Sequence, residues 1–274
     1  MKPLIFESYP GLVKLPWMEI GDFPTPINKL ESLGNDLGFR NLYVKRDDLS
    51  CRYYGGNKVR KLEWVLADAK VKGRKTLLTI GGIGSNQVLA TAIYGQKAGF
   101  KVVGLIFDQL NADYVRRNLL LDYKFNVEFV YASNIVFELF NFGLQYVVRY
   151  VKGEAPYYVP GGASSPIGNM GYVNAAFELR DQIRQGIFPE PDYILAAAGS
   201  LGTAPGLQLG CMLAGLKSQV IGVRVSMPWY ITAQKYADRI NELNRFMHEI
   251  DTTVTVKKVG PGDLILLEDY LGKE

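Results

Sequence analysis

Lys58 follows Gly55, Gly56 and Asn57 and opens the run "KVRKLEWVLADAK", whose apolar spacing predicts an amphipathic helix. A lysine at a helix start sits against the positive end of the backbone dipole, which lowers its pKa from the ordinary value of about 10.4. Such an amine is a better nucleophile and a better base. Two other glycine turns stand where strand patterns hand over to helices, "GGIGSNQ" (Gly81 to Gln87) and "AAAGSLGTAPGL" (Ala196 to Leu207). In the second of these, Gly199, Ser200, Gly202 and Thr203 precede a helix whose first N–H groups have no partner, so the loop can cradle a phosphate. It can equally be a tight turn into a closely packed helix. Ser85, Asn86 and Gln87 can hold a carboxylate and a ring hydroxyl, or simply cap a helix. Lys61 lies on the Lys58 face of its helix and by itself reads as a surface lysine. A perturbed lysine, a phosphate loop and a polar loop on one sheet edge suggest pyridoxal phosphate.

The remaining composition narrows the chemistry by exclusion. The chain has a single histidine, His248, within an amphipathic helix pattern, and two cysteines, Cys51 and Cys211, with no spaced pattern. A zinc site or a Ser-His-Asp triad is therefore not expected, and no metal is assigned. The net charge of +4 is spread along the chain and gives no footprint for nucleic acid. The start "MKPLIFESYP" lacks the apolar stretch of a secretory signal, and no apolar run nears the roughly 18 residues that span a bilayer. Reduced thiols and a cytoplasmic location are the expectation.

The 274 residues, 48% of them hydrophobic, suffice for more than one domain. Strand patterns ("TLLTIGG", "KVVGLIF", "NVEFVYA", "DYILAAAG", "QVIGVRVS") alternate with helix patterns ("SNQVLATAIYGQKAG", "DYVRRNLLLDYK", "NIVFELFNFGLQYVVRYVKG", "GNMGYVNAAFELRDQIRQG", "GTAPGLQLGCMLAG", "WYITAQKYADRINELNRFMHEI"). That alternation predicts an α/β fold with parallel-rich sheets, and ligands in such folds sit at the carboxyl ends of the strands.

The ordered set "PTPINKL", "LYVKRDDLS", "GGNKVRKLE", "GGIGSNQ", "VPGGASSPIGNMGYVNAAFEL" and "AAAGSLGTAPGL" resembles the aminocyclopropane-carboxylate deaminase and D-cysteine desulfhydrase family, from about Phe23 to the C-terminus. The resemblance implies pyridoxal 5'-phosphate as cofactor and the two-domain tryptophan-synthase β-like fold (fold type II). A large discontinuous domain would comprise residues 1–59 and 161–274, and a small inserted α/β domain residues 60–160. Lys58 falls on the lysine that bonds to the cofactor aldehyde and then serves as base at the substrate α-carbon. Asn86 falls beside the phenolic oxygen of the ring, and Ser85, Asn86 and Gln87 on the loop that holds the substrate carboxylate. Gly199, Ser200, Gly202 and Thr203 fall on the phosphate cup, Asn57 flanks the lysine, and Lys61 reaches the phosphate. The implied reaction is β-elimination from D-cysteine or a relative to pyruvate, ammonia and sulfide. The alternatives are 1-aminocyclopropane-1-carboxylate deamination and a cofactor-binding protein without turnover, with a nucleotide-binding α/β protein as a distant third. A homodimer is also implied.

The sequence departs from the family pattern at Gly84, where glutamine is frequent, and at Leu89, where arginine commonly follows the Ser-Asn loop. The family also continues past the "LILLEDYLGKE" segment with an active-site tyrosine and the group that faces the pyridine nitrogen. Without that continuation, apolar surface of the large domain is expected to lie open.

Overall fold

The structure, a computed structural model, describes residues 2–133 and 135–270. The N-terminal segment carries α1 (Ile5–Ser8), then β1 (Ile27–Lys29), α2 (Glu31–Leu37) and β2 (Tyr43–Lys45), with β1 and β2 paired antiparallel. Next come α3 (Lys58–Val71), β3 (Thr76–Gly82), α4 (Asn86–Lys97), β4 (Lys101–Phe107), α5 (Asp113–Lys124), β5 (Glu128–Tyr131), α6 (Ile135–Val151) and β6 (Pro156–Val159). The chain continues through α7 (Pro166–Arg184), β7 (Tyr193–Ala198), α8 (Thr203–Ala214), β8 (Gln219–Arg224), α9 (Ala233–Ile250) and β9 (Ile265–Leu267). Asn134, where the α6 pattern is expected to begin, lies outside the described residues.

Two parallel sheets result, one in the order β5-β4-β3-β6 and one in the order β7-β8-β9. The first is buried on both faces, which is why "TLLTI" and "VVGLI" read as continuous apolar runs rather than alternating ones. α6 packs on it over Leu78, Val103 and Leu105. A larger buried cluster joins α3, α4, α7, α8 and α9, and includes Trp64, Leu89, Phe177, Leu209 and Ile240. α3 and α7 cross closely there: a Cβ on Gly171 would lie 2.1 Å from the Arg60 carbonyl oxygen.

Several element ends differ from the sequence reading for local reasons. α7 begins two residues early, because Ser165 Oγ accepts from the Gly168 N–H and Pro166 fits the first helical position. α9 begins at Ala233 rather than Trp229, because Thr232 caps it through the Lys235 N–H. His248 is held by the Val254 carbonyl oxygen at 2.8 Å, and both cysteines are buried free thiols. Among the described residues no helix is long and apolar enough to cross a membrane. Among the described residues β7 pairs with β8 alone, and Leu195 on it is 66% exposed, so apolar surface does lie open there. A cavity of about 280 Å³ runs along this edge, lined by Asn57, Tyr172, Leu195 and Thr203 among others.

Candidate active site

The glycine turn before Lys58 is dictated by space. A Cβ on Gly55 would lie 1.7 Å from the Asp48 carbonyl oxygen, and Gly56 takes φ +112°, a region that favours glycine. The Gly56 N–H donates to the Asp47 carbonyl oxygen at 2.8 Å, which pins the turn to the segment after β2. Lys58 thus starts α3 with its Nζ donating to Asn57 Oδ1 at 2.9 Å. Burial brings its amine down to about 8. The direction matches the sequence reading, but the cause is desolvation rather than the helix dipole.

Beneath the turn lies a buried ionic cluster that the sequence did not announce. Arg60 donates to Asp47 (Nη2 to Oδ1, 2.8 Å) and to Glu178 of α7 (Nη1 to Oε2, 2.9 Å). Lys45 also pairs with Glu178, and the Tyr172 hydroxyl donates to Asp47 Oδ2 at 2.8 Å. Burial alone would raise both carboxyls, but Arg60 outweighs it and holds Asp47 and Glu178 below the usual carboxylate range. The one available signal was the charged run "KRDD" directly after an apolar strand.

Lys61 is not a surface lysine. It is buried, and its Nζ donates to the Gly162 carbonyl oxygen at 3.0 Å and to Ser164 Oγ at 3.4 Å. Burial, with Lys58 nearby, lowers its pKa well below the ordinary value. No carboxylate is among these partners. Against it stands the Gly199–Thr203 loop, where a Cβ on Gly202 would lie 2.2 Å from Lys61 Nζ. Ser200 Oγ is 2.8 Å from Ser164 Oγ, and Asn57 Nδ2 donates to Thr203 Oγ1 at 3.4 Å. Gly202 gives α8 no side-chain cap, so its opening N–H groups remain available to an anion.

The third loop joins β3 of the first sheet to α4. Ser85 caps α4, its Oγ accepting from the Gln87 N–H at 3.2 Å. The Gln87 side chain is buried and donates to Thr91 Oγ1 at 2.9 Å, so it is turned away from the open side of the loop. Asn86 Oδ1 accepts from the Tyr54 hydroxyl and from Asn118 Nδ2, each at 2.9 Å. With its oxygen doubly engaged, Asn86 has Nδ2 as the group left to donate. Tyr54 and Asn118 were missed in the sequence. Tyr54 directly precedes the glycine turn, where nothing local gives it a partner, and Asn118 lies 32 residues from its partner, inside an ordinary helix pattern.

Contacts join Asn57 to Lys58 and Thr203, and Lys61 to Gly202 and, through Ser164, to Ser200; Gly199 precedes Ser200 in the same loop, and Asn86, beside Ser85, is tied through Tyr54 to the segment that leads into Lys58. These residues fit pyridoxal phosphate: an amine for an aldehyde, a second, buried amine that an anion would hold in its charged form, a glycine cradle that a Cβ would fill, and an amide donor fixed in orientation. The comparisons agree with this chemistry. A family model described as pyridoxal-phosphate dependent enzyme matches residues 18–273. A protein of Thermotoga maritima provisionally named a 1-aminocyclopropane-1-carboxylate deaminase is 39% identical over 74% of this chain, which spans 64% of that relative's length. A D-cysteine desulfhydrase of Yersinia enterocolitica is 33% identical over 96% of this chain and 78% of its own. The crystal structure of an ACC deaminase homologue superposes with TM-score 0.79 at 30% identity, over 98% of this chain and 77% of that one. A threonine deaminase, at TM-score 0.55 and 22% identity, shares the fold. The lysine pair, the cradle and the matched length lead to one conclusion: this chain belongs to the family of pyridoxal-phosphate-dependent enzymes, with the fold type II architecture.

Proposed function

We propose that the chain is a lyase of small amino acids that eliminates the β-substituent of D-cysteine or a close relative, giving pyruvate, ammonia and sulfide. The observation that carries this reading is the half-buried Lys58, its amine brought down to about 8, one helical turn from the buried Lys61. When bound, pyridoxal phosphate supplies a ring that accepts the electron pair released at the substrate α-carbon. Lys61, Gly199, Ser200, Gly202 and Thr203 would hold the phosphate by charge and backbone N–H groups. Asn86 Nδ2 would serve as donor to the ring oxygen, its orientation fixed by Tyr54 and Asn118. Ser85 and Asn86 would receive the substrate carboxylate, while the Gln87 N–H stays with the Ser85 cap. Lys58 would hold the aldehyde and, once displaced by the substrate amine, would take the α-proton. Overall, D-cysteine and one water would give pyruvate, ammonia and sulfide.

In this reading residues 60–160 form the small inserted domain, residues 1–59 and 161–274 the large one, and the working unit is a cytoplasmic homodimer. The second substrate reading, 1-aminocyclopropane-1-carboxylate, is favoured by the higher identity of the Thermotoga maritima relative, 39%. The test is an absorption spectrum with added pyridoxal phosphate beside Lys58→Ala, followed by assays of both substrates. Expected are a visible band in the wild type, a borohydride-stable adduct mapped to Lys58, and pyruvate with sulfide from D-cysteine. Attachment with no product from either substrate would leave a cofactor-binding protein without turnover. No band from a folded chain would remove the cofactor reading itself.

A further inference from the structure

Behind the Asn86 amide stands a carboxyl that the proposed chemistry does not use. Asn118 and Asp122 are four residues apart on α5, and so on one helix face, and both are fully buried. Asn118 Nδ2 donates to the Gly84 carbonyl oxygen at 2.8 Å and to Asn86 Oδ1 at 2.9 Å. A carbonyl oxygen only accepts, so these bonds settle which end of the Asn118 amide is nitrogen. They leave Asn118 Oδ1 buried without a donor, and both carboxyl oxygens of Asp122 are in the same position. Three buried acceptors within one helical turn, with no donor to them among the described residues, form an arrangement that folding penalises.

One proton relieves it. A neutral carboxyl gains an O–H to donate, and Asn118 Oδ1 is the unsatisfied acceptor one turn away on the same face. The surroundings favour that form, since burial pushes the Asp122 carboxyl up to about 7 and no charged group acts against it. The Tyr54 hydroxyl is the titratable group coupled to Asp122, while Arg117, exposed on α5, acts on Tyr54 and not on Asp122. On α4, which packs along α5, Tyr94 is engaged by the Tyr54 carbonyl oxygen and Lys97 by the Tyr53 ring. A metal ion is the poorer answer, because no cluster of metal-ligating side chains is found among the described residues. We propose, on the cofactor reading above, that Asp122 is a positioning residue: protonated, it donates to Asn118 Oδ1 and so holds the amide that orients Asn86 toward the cofactor ring. When that proton leaves to water, Asn118 Oδ1 loses its donor and meets a buried negative charge, and the hold on Asn86 loosens.

The probe is pyridoxine 5'-phosphate, which has the ring oxygen and the phosphate but no aldehyde for Lys58. It is titrated against cofactor-free wild type, Asp122→Asn and Asp122→Leu from about pH 6 to about pH 8.5, on either side of the Asp122 value. An amide in place of the carboxyl donates at every pH, and the titrations of Lys58, Lys61 and the probe cancel in the ratio of affinities. Expected are equal affinities of wild type and Asp122→Asn at the acid end, and a wild type about fivefold weaker at the alkaline end, the loss of one hydrogen bond. Asp122→Leu should be as weak as the ionised wild type at both ends. A ratio of wild type to Asp122→Asn that does not change with pH overturns the proposal, and it decides alone if Asp122→Leu does not fold. Urea unfolding reads the proton without any cofactor. A carboxyl raised in the folded state penalises folding increasingly as pH rises from the unfolded value of about 4 to the folded one. The midpoint of Asp122→Asn should therefore gain on the wild type between about pH 4 and about pH 7 and run parallel above. A constant gap across that range overturns the proposal even where the probe binds. If no protein binds the probe at any pH, the cofactor reading falls and the positioning role falls with it.

Discussion

At the residue scale the site is a matter of which atoms are already engaged. Lys58, with its amine near 8, is half neutral near that pH, where an ordinary lysine is almost wholly protonated. The rate of pyridoxal phosphate attachment to cofactor-free protein is therefore expected to rise through a midpoint close to pH 8, measured by the growth of the visible band. A midpoint at the ordinary lysine value would show that burial does not tune the amine. Asn86 offers a second test, since two donors fix its amide. Asn118→Ala removes one of them and permits the amide to turn. A neutral hydrogen bond contributes about 1 kcal/mol, so cofactor affinity is expected to fall roughly fivefold with a shift of the visible band, read by titration. Leu at position 118 should behave as Ala does, whereas a role of mere helix packing predicts partial rescue. Ser85 was legible as either a cap or an anion ligand, and the structure shows it capping α4. Sequence could not separate the two because both need the same hydroxyl at the same helix position.

At the scale of elements, strands, helices and glycine junctions were readable because hydrophobic periodicity and turn chemistry are local. The cluster of Arg60, Asp47, Glu178 and Lys45 was not readable, because its members lie up to 133 residues apart and meet only after α3 crosses α7. Charged residues with no visible partner are read by default as solvated. Arg60→Met leaves Asp47 without its cation and Glu178 with Lys45 alone, an expected loss of about 3–5 kcal/mol, read from urea unfolding. The pH dependence has a definite sign. Asp47 and Glu178 have folded-state pKa values below those of the unfolded chain. Their contribution is therefore present above the unfolded carboxylate values of about 4 and is lost as pH falls through the lowered folded values. In Arg60→Met that acid-side loss should shrink, because the carboxyls keep only Lys45 and the Tyr172 hydroxyl to favour their ionised forms. Gly202→Ala tests the cradle by sterics alone: its Cβ would meet Lys61 Nζ at 2.2 Å. Expected is at least a tenfold loss of pyridoxal phosphate affinity, with pyridoxal lacking the phosphate affected far less.

Across the whole molecule, the open edge of β7 is the feature that most shapes behaviour in solution. A strand with unpaired backbone groups and an exposed Leu195 invites pairing with other chains. Leu195→Lys is expected to reduce light scattering on concentration without lowering the unfolding midpoint. Unchanged scattering would mean that the edge is not sticky. α3, by contrast, lies at the middle of the molecule, held to α7 by the Arg60–Glu178 ion pair and by the close crossing at Gly171. Lys58 and Lys61 ride on that one rigid rod, separated by about 4.5 Å along its axis. In the proposed site the helix would work as a caliper, with Lys58 the jaw for the aldehyde and Lys61 the jaw for the anionic tail. The spacing of the two jaws along the axis is set by backbone geometry.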